Sequence, residues 1–254
     1  MSSGTIDLDG RLSLHPQFAA RTLRVGNEGL PVIVIDHFLS RAELLIEHAA
    51  SAAAFDGVSD SFYPGIRAPI PPIYCFAVRA FLGDLIAQTF GLKNSHVVGE
   101  LAHYSLVTTP PARLSVPQRL PHIDNTNPRQ LAVLHYLCGP QHGGTSFYRH
   151  RRTGFESVDD SRALTYRQAL ARELESDGPP PPAYLSGDSP AFERIVTFTG
   201  DFNRVLVYRS MNLHSADIGA DFRFDADPRH GRLTANTFFY FSQSHQNLSA
   251  TSSR

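Results

Sequence analysis

At 254 residues the chain suits one large domain, and an apolar share of 42% is enough to build a substantial core. Lys+Arg 23 against Asp+Glu 24 leaves a net charge of −1, which argues against bulk attraction to nucleic acid or an anionic membrane. Two cysteines are too few for a disulfide framework; Cys138, at the end of an apolar strand, is expected as a buried free thiol, and a reducing, cytoplasmic setting follows.

Residues 1–17 are expected as a loose leader, with neither the basic nor the apolar region of a secretory signal. Nowhere do 18 apolar residues run together, so no membrane passage is predicted. Residues 21–25 and 31–35 are predicted strands; Val32-Ile33-Val34-Ile35 is β-branched and bounded by Gly29 and Asp36. Ser40-Arg41-Ala42-Glu43 has the form of a capping box and predicts a helix through about Ala54. Residues 63–72 hold four prolines and predict a rigid loop, in which Arg67 is either a solvated arginine or a substrate contact. A second helix is predicted over 75–92, stopped at Gly91, and then a long strand over 95–108 carrying Glu100, His103 and Tyr104.

Residues 131–137 predict an apolar strand that carries the hydroxyl of Tyr136. A Gly-rich turn over 139–144 leads into a strand from Thr145. Arg149-His150-Arg151-Arg152 is the one dense basic run, either a solvated hairpin tip or a contact for an acidic substrate through Arg149 and His150. Residues 161–176 predict a polar helix that lids a barrel mouth, followed by a stiff polyproline stretch at 178–182. Strands follow over 191–198 and 203–208, then a polar excursion over 217–231 and a last strand over 232–241. The Ser/Gln/Asn-rich tail, 243–254, is expected to be mobile. Strands dominate from 95 to 241. The expected fold is mostly β with flanking helices: one domain whose double-stranded β-helix, or jelly roll, is supported by the strands and helices of residues 1–94.

Chemistry concentrates in four places. His122 and Asp124, two residues apart in an extended segment, point the same way. His214 follows a distant apolar strand and completes a two-His-one-carboxylate set, which binds Fe(II) and leaves three positions open. A keto acid chelating that ion needs a cation at its far carboxylate; Arg232 offers a planar fork of donors, and Thr234, on the same strand face, a hydroxyl. Tyr104 is either a further cosubstrate contact or a core tyrosine.

The succession His122-Ile123-Asp124-Asn125-Thr126-Asn127, then Tyr136-Leu137, then Gly143-Gly144-Thr145-Ser146-Phe147 resembles the Fe(II)/2-oxoglutarate-dependent dioxygenases, particularly their prolyl-4-hydroxylase-like branch. Tyr63-Pro64-Gly65-Ile66-Arg67 and Phe147-Tyr148-Arg149-His150 are similar to an uncharacterised bacterial family placed near these enzymes. The resemblance covers residues 95–241 well and 31–54 loosely. It implies Tyr136 as a hydroxyl donor to the distal carboxylate of 2-oxoglutarate and Arg232 as its salt-bridge partner, with Arg-x-Thr where many members have Arg-x-Ser. The spacing from His214 to Arg232 is longer than is usual in that branch, so residues 217–231 are expected to loop out. Because Asp124 is present, oxygenation is favoured over halogenation.

The implied activity is hydroxylation of a C–H bond coupled to decarboxylation of 2-oxoglutarate to succinate, with O2 as co-reactant and ascorbate as the candidate reductant. The substrate is a small molecule or peptide, no nucleic-acid or membrane partner is expected, and a homodimer is open. Two other classes compete: a cupin-like protein that binds metal or ligand without turnover, and a serine hydrolase built on Gly187-Asp188-Ser189. The last lacks the strand leading into a nucleophile elbow.

Overall fold

Alternation within a strand assigns each residue to one of two sheet faces, and in this chain both faces of the main sheet are covered. The computed structural model describes residue 8 and residues 10–57 and 63–242. The expected mobile tail, 243–254, lies outside them, as do residues 1–7 and 9 of the leader. In chain order the elements are β1 (Ala19–Val25), β2 (Leu30–Asp36), α1 (Glu43–Ser51), β3 (Asp56–Gly57), β4 (Gly65–Pro69), α2 (Pro72–Phe90) and β5 (Val97–Val107). There follow β6 (Gln130–Tyr136), β7 (Gly144–His150), α3 (Asp160–Asp177), β8 (Phe192–Thr199), β9 (Val205–Arg209), β10 (His214–Asp217) and β11 (Leu233–Phe241).

Eight strands form one antiparallel sheet in the order β1-β2-β9-β6-β11-β5-β4-β3, and three form a second, β10-β7-β8. His122 adds a fourth rung to the small sheet through an antiparallel bridge to His214. From β5 onward the chain crosses between sheets in the order large, small, large, small, small, large, small, large. That is the double Greek key of a jelly roll, as the strand pattern predicts.

The outer face of the large sheet carries Ile33, Ile35, Tyr104, Leu131, Val133, Val205, Val207, Ala235 and Phe239, against which α1 and α2 lay Leu45, Ala49, Tyr74, Val78 and Leu82. Each large side chain buried there contributes about 1.5–3 kcal/mol. The inner face turns Val32, Val34, Ala132, Leu134, Tyr136, Leu206 and Tyr208 toward Phe147 and Phe198 of the small sheet. α2 is 19 residues long and apolar enough by composition to cross a membrane, yet it packs its Tyr74–Val78–Leu82–Ile86 side on this core. Pro72 opens it, and Gly91, at φ 70°, supplies the left-handed residue that ends it.

Several expectations give way. Ser40 does not cap α1: its hydroxyl pairs with that of Ser13 at 2.7 Å, Ala42 stands at the helix start, and the helix ends at Ser51. The leader is docked in part, since Leu8 is buried and Leu14 bridges Leu39. The proline-rich loop contains a strand, β4, paired in register with β5 from Gly65↔Val107 to Pro69↔His103. Its prolines sit before and at the end of the strand, where they cost no ladder hydrogen bond from the middle. The helix read as a lid is a buttress. α3, capped by the Asp159 carboxylate on the Arg162 amide, sets Tyr166 and Ala163 against Tyr148, Phe192 and Leu213 on the outside of the small sheet.

Candidate metal centre

The segment after Pro121 is extended and pairs backwards along residues 210–214. His122 and His214 exchange both backbone hydrogen bonds at 2.9 Å, and the Asp124 amide donates to the Ser210 carbonyl at 2.8 Å. Ile123, between the two polar residues, joins the outer cluster with Leu213. His122 and Asp124 therefore face inward together, and the bridge sets the His122 and His214 rings 4.5 Å apart. The potential ligand atoms of His122, Asp124 and His214 lie within 4.8 Å of one another. His214 Nε2 is 3.6 Å from Asp124 Oδ2, and His122 Nε2 is 3.9 Å from Asp124 Oδ1.

The donor chemistry fits a divalent first-row ion. His214 Nδ1–H donates to the Asn212 carbonyl at 2.9 Å, which fixes the tautomer and leaves the Nε2 lone pair toward Asp124. Desolvation, with His214 and Arg67 nearby, pushes the His122 imidazole down to about 3, so it is neutral and ligand-competent at ordinary pH. Burial raises the Asp124 carboxyl, opposed by His214 and Arg67. The His214 side chain is 7% exposed against 40% for His122, so the set is walled on one side and open on the other.

The open side faces a cavity of about 460 Å³ between the sheets, lined among others by Tyr63, Arg67, His103, Thr145, Tyr184 and Arg232. That volume suits small-molecule ligands. Arg232 stands one residue before β11 and is 3% exposed. Its Nη2 donates to the Gly144 carbonyl at 2.8 Å, its Nε has no partner, and its guanidinium lies 5.7 Å from the centre of the Tyr136 ring. No carboxylate pairs with it among the described residues. The Gly143-Gly144 turn explains part of this placement. Gly143 takes φ 85°, and a Cβ at either glycine would run into a carbonyl of Asp217 or Phe198, so the chain passes close enough to present the Gly144 oxygen.

Thr234, in register with Tyr136 and Ser105, also lines the cavity. The Tyr136 phenol, pushed up to about 12 by burial against the pull of Arg232, stays protonated and lies 2.6 Å from the Thr145 hydroxyl. Thr145 thus stands between Tyr136 and the cavity, a residue the sequence reading passed over. Tyr104 faces the opposite side of the sheet, in the core beneath α1, with its hydroxyl 3.4 Å from His48 Nδ1. It is a core tyrosine and no cosubstrate contact.

Arg149 and His150, read as contacts for an acidic substrate, are absorbed by the fold. Arg149 binds Glu156 and Glu193 at 2.5 and 2.8 Å, and the fully buried His150 binds Glu173 at 2.8 Å and Thr153 at 2.9 Å. Neither lines the cavity. Arg67 does, and so do His103, Asn236 and Gln130, which sequence reasoning missed. Period-two spacing from Arg232 and Thr234 to Asn236 was the available signal for one of them. Residues 218–232 form an irregular excursion between β10 and β11, as expected, but it is docked: Ile218, Phe222 and Phe224 fold back on Val107, Leu114 and Tyr184 beside the cavity. Ser189 is structural, its hydroxyl accepting the Phe192 amide at 3.0 Å.

Comparison with known proteins gives a family and distant structures. The model of a family of unknown function, DUF6445, matches residues 16–239. No curated protein matches the chain in sequence. AviO1 from Streptomyces viridochromogenes Tue57 is 13% identical, with 93% of this chain and 92% of that chain covered at a TM-score of 0.39. SnoN, a non-heme alpha-ketoglutarate-dependent epimerase from nogalamycin biosynthesis, is 13% identical over 85% and 79% at 0.39. An N-substituted L-amino acid dioxygenase from Burkholderia ambifaria AMMD is 12% identical over 88% and 94% at 0.38. Superpositions this loose say nothing of the reaction.

Proposed function

The chain belongs to the DUF6445 family, and from its cavity we propose that it is an Fe(II)- and 2-oxoglutarate-dependent oxygenase, a hydroxylase of the prolyl-4-hydroxylase-like branch. One observation carries the reading: two histidines and an aspartate from remote parts of the chain converge within 4.8 Å on a cavity that also holds a buried arginine without a counter-ion among the described residues. An ion held by His122, Asp124 and His214 would supply the O2 chemistry that couples keto-acid decarboxylation to substrate oxidation.

The chain's own residues do the rest. Arg232 would take the distal carboxylate of 2-oxoglutarate with the donors not spent on Gly144, and a carboxylate there relieves a buried unpaired charge, the strongest form of recognition a guanidinium offers. Thr234 and Thr145 would add hydroxyls, with Tyr136 donating to Thr145 from behind so that its oxygen is oriented. The Asn212 carbonyl holds His214 in its ligating tautomer. Phe147 and Tyr208 pack on the His214 ring and keep bulk water from its inner side.

The test is direct. With Fe(II) and O2 the protein is expected to release CO2 and succinate from 2-oxoglutarate, and His122→Ala to abolish this together with metal binding. Full turnover in that variant ends the reading. Tight 2-oxoglutarate binding to the Mn(II) form, without turnover on any substrate offered, would instead mark a cupin-like binding protein.

A further inference from the structure

Metal ligands and Arg232 do not account for the whole cavity. Arg67 of β4 is in register with Ser105 of β5, which is in register with Thr234 of β11, so the three share one sheet face in a row, with Arg67 and Thr234 lining the cavity. Two strand spacings put the Arg67 backbone about 10 Å from that of Thr234. The Arg67 guanidinium lies 4.7 Å from the centre of the Tyr63 ring, and its Nε is buried without an acceptor. No carboxylate or carbonyl accepts from it among the described residues.

The other arginines held in the fold are satisfied. Arg149, Arg162 and Arg204 bind carboxylates, and Arg119, Arg129 and Arg209 bind carbonyls. Beside Arg67 the cavity wall carries two more unused polar atoms. His103, two residues along β5, has a buried Nε2 without a partner, and Asn236, its cross-strand neighbour, a buried Oδ1 in the same condition. Asn236 Nδ2 donates to the Ser105 hydroxyl at 3.3 Å, which holds the amide in place. Leu101, Ala132 and Phe238 make the apolar ground next to them. Both arginines act on Tyr63 between them; beyond it Arg67 acts on His122, Asp124 and His103, and Arg232 on Tyr136, Cys138 and Tyr208.

We infer that Arg67, flanked by His103 and Asn236, receives a carboxylate of the substrate itself, so that the molecule oxidised is a small organic acid held beside the cosubstrate site. One guanidinium among neutral partners matches one negative charge, which favours a carboxylate over a phosphate dianion. An apolar stretch next to the anchor then leads the rest of the acid along the cavity. This rests on the oxygenase reading of the cavity, and the experiment separates the two.

The probe is benzoate, a non-chelating acid whose ring suits the Leu101–Phe238 ground, compared with its neutral isostere benzamide. The full chain is loaded with Mn(II), saturated with 2-oxoglutarate, and the relaxation of the probe's ring protons by Mn(II) is followed by NMR. Benzoate is expected to bind about tenfold or more tighter than benzamide, as one charge-assisted hydrogen-bonded pair provides. Arg67→Gln removes the preference and Arg67→Lys keeps part of it, while the 2-oxoglutarate affinity of Arg67→Gln stays within about threefold of the parent, against a loss of about tenfold or more in Arg232→Gln. Equal binding of the two probes by the parent chain, or an unchanged preference in Arg67→Gln, overturns the inference. So does a loss of 2-oxoglutarate affinity in Arg67→Gln as large as in Arg232→Gln, which would make Arg67 a cosubstrate residue. If the parent chain binds no 2-oxoglutarate, the oxygenase reading fails by itself; the same pair of probes, compared on metal-free protein by saturation transfer, still reads Arg67 alone.

Discussion

Two groups of arginines in this chain look alike in sequence and differ in the fold. In the basic run, Arg149 binds Glu156 and Glu193, Arg151 binds Asp188, and Arg152 binds Glu173. In the cavity, Arg67 and Arg232 have no acid partner among the described residues, and each keeps a buried Nε without an acceptor there. A charge compensated within the fold holds elements together: the Arg149–Glu156 contact ties β7 to the turn between β1 and β2, because Glu156 also accepts the amides of Asn27 and Glu28 at 2.9 Å. A charge left uncompensated beside a cavity costs stability until an anion arrives. The dense cluster is architecture, and the two isolated arginines keep unpaired donors beside the cavity.

The strongest way to break that contrast is to remove what the cavity charges are arranged around. His214→Ala is expected to lose stoichiometric Mn(II) binding and to lower Fe(II)-dependent 2-oxoglutarate consumption by at least about 100-fold, more than loss of a supporting partner alone causes; metal analysis and CO2 release check it. Next, Arg149→Gln leaves the 1% exposed Glu156 side chain without its cation. Breaking a buried pair costs about 3–5 kcal/mol, which two remaining amide donors reduce to roughly 2–3, read as a lower urea midpoint. Arg232→Met, by contrast, is expected to leave the midpoint of the ligand-free protein unchanged or higher, since an unpaired buried charge is replaced by an apolar chain of similar length. Equal destabilisation by the two substitutions would erase the distinction.

The smallest effect is in acid. Burial works to raise the Asp36 carboxyl, but hydrogen bonds and charge from Arg204 and Arg21 outweigh it and hold the group below its ordinary value of 3.8. A depressed carboxyl adds stability at pH above its unfolded value and loses it as pH falls through the folded one. Asp36→Asn is therefore expected to be less stable than the parent near neutrality and to show a shallower loss of stability below about pH 4, measured by urea unfolding at a series of pH values.

What could be read in advance followed from periodicity. The jelly roll, the inward pair His122 and Asp124, and the Arg232–Thr234 face all rest on alternation along one strand, a local property. His214 was readable because an apolar strand delivers it. Tyr104 was misjudged because both parities of β5 carry apolar and polar residues; only the cross-sheet register, Ser105 opposite Thr234, shows that His103 and not Tyr104 faces the cavity. β4 hid behind prolines that punctuate its ends. The basic run looked like a surface patch because Glu156, Glu173, Asp188 and Glu193 reach it from four other places in the chain, and no local pattern reveals such partners. The helix taken for a lid is placed by non-local contacts such as His150–Glu173, between a strand and a helix residue 23 positions apart, and by Tyr166 on the outer cluster.

The mutual amide bonds of His122 and His214 have a consequence for how an ion would come and go. Both imidazoles hang from one rung of a ladder, so their spacing is set by backbone and persists whether or not the centre is filled. An ion taken up there would meet two nitrogen donors whose separation the ladder already holds, so its arrival would ask little rearrangement of the scaffold around them.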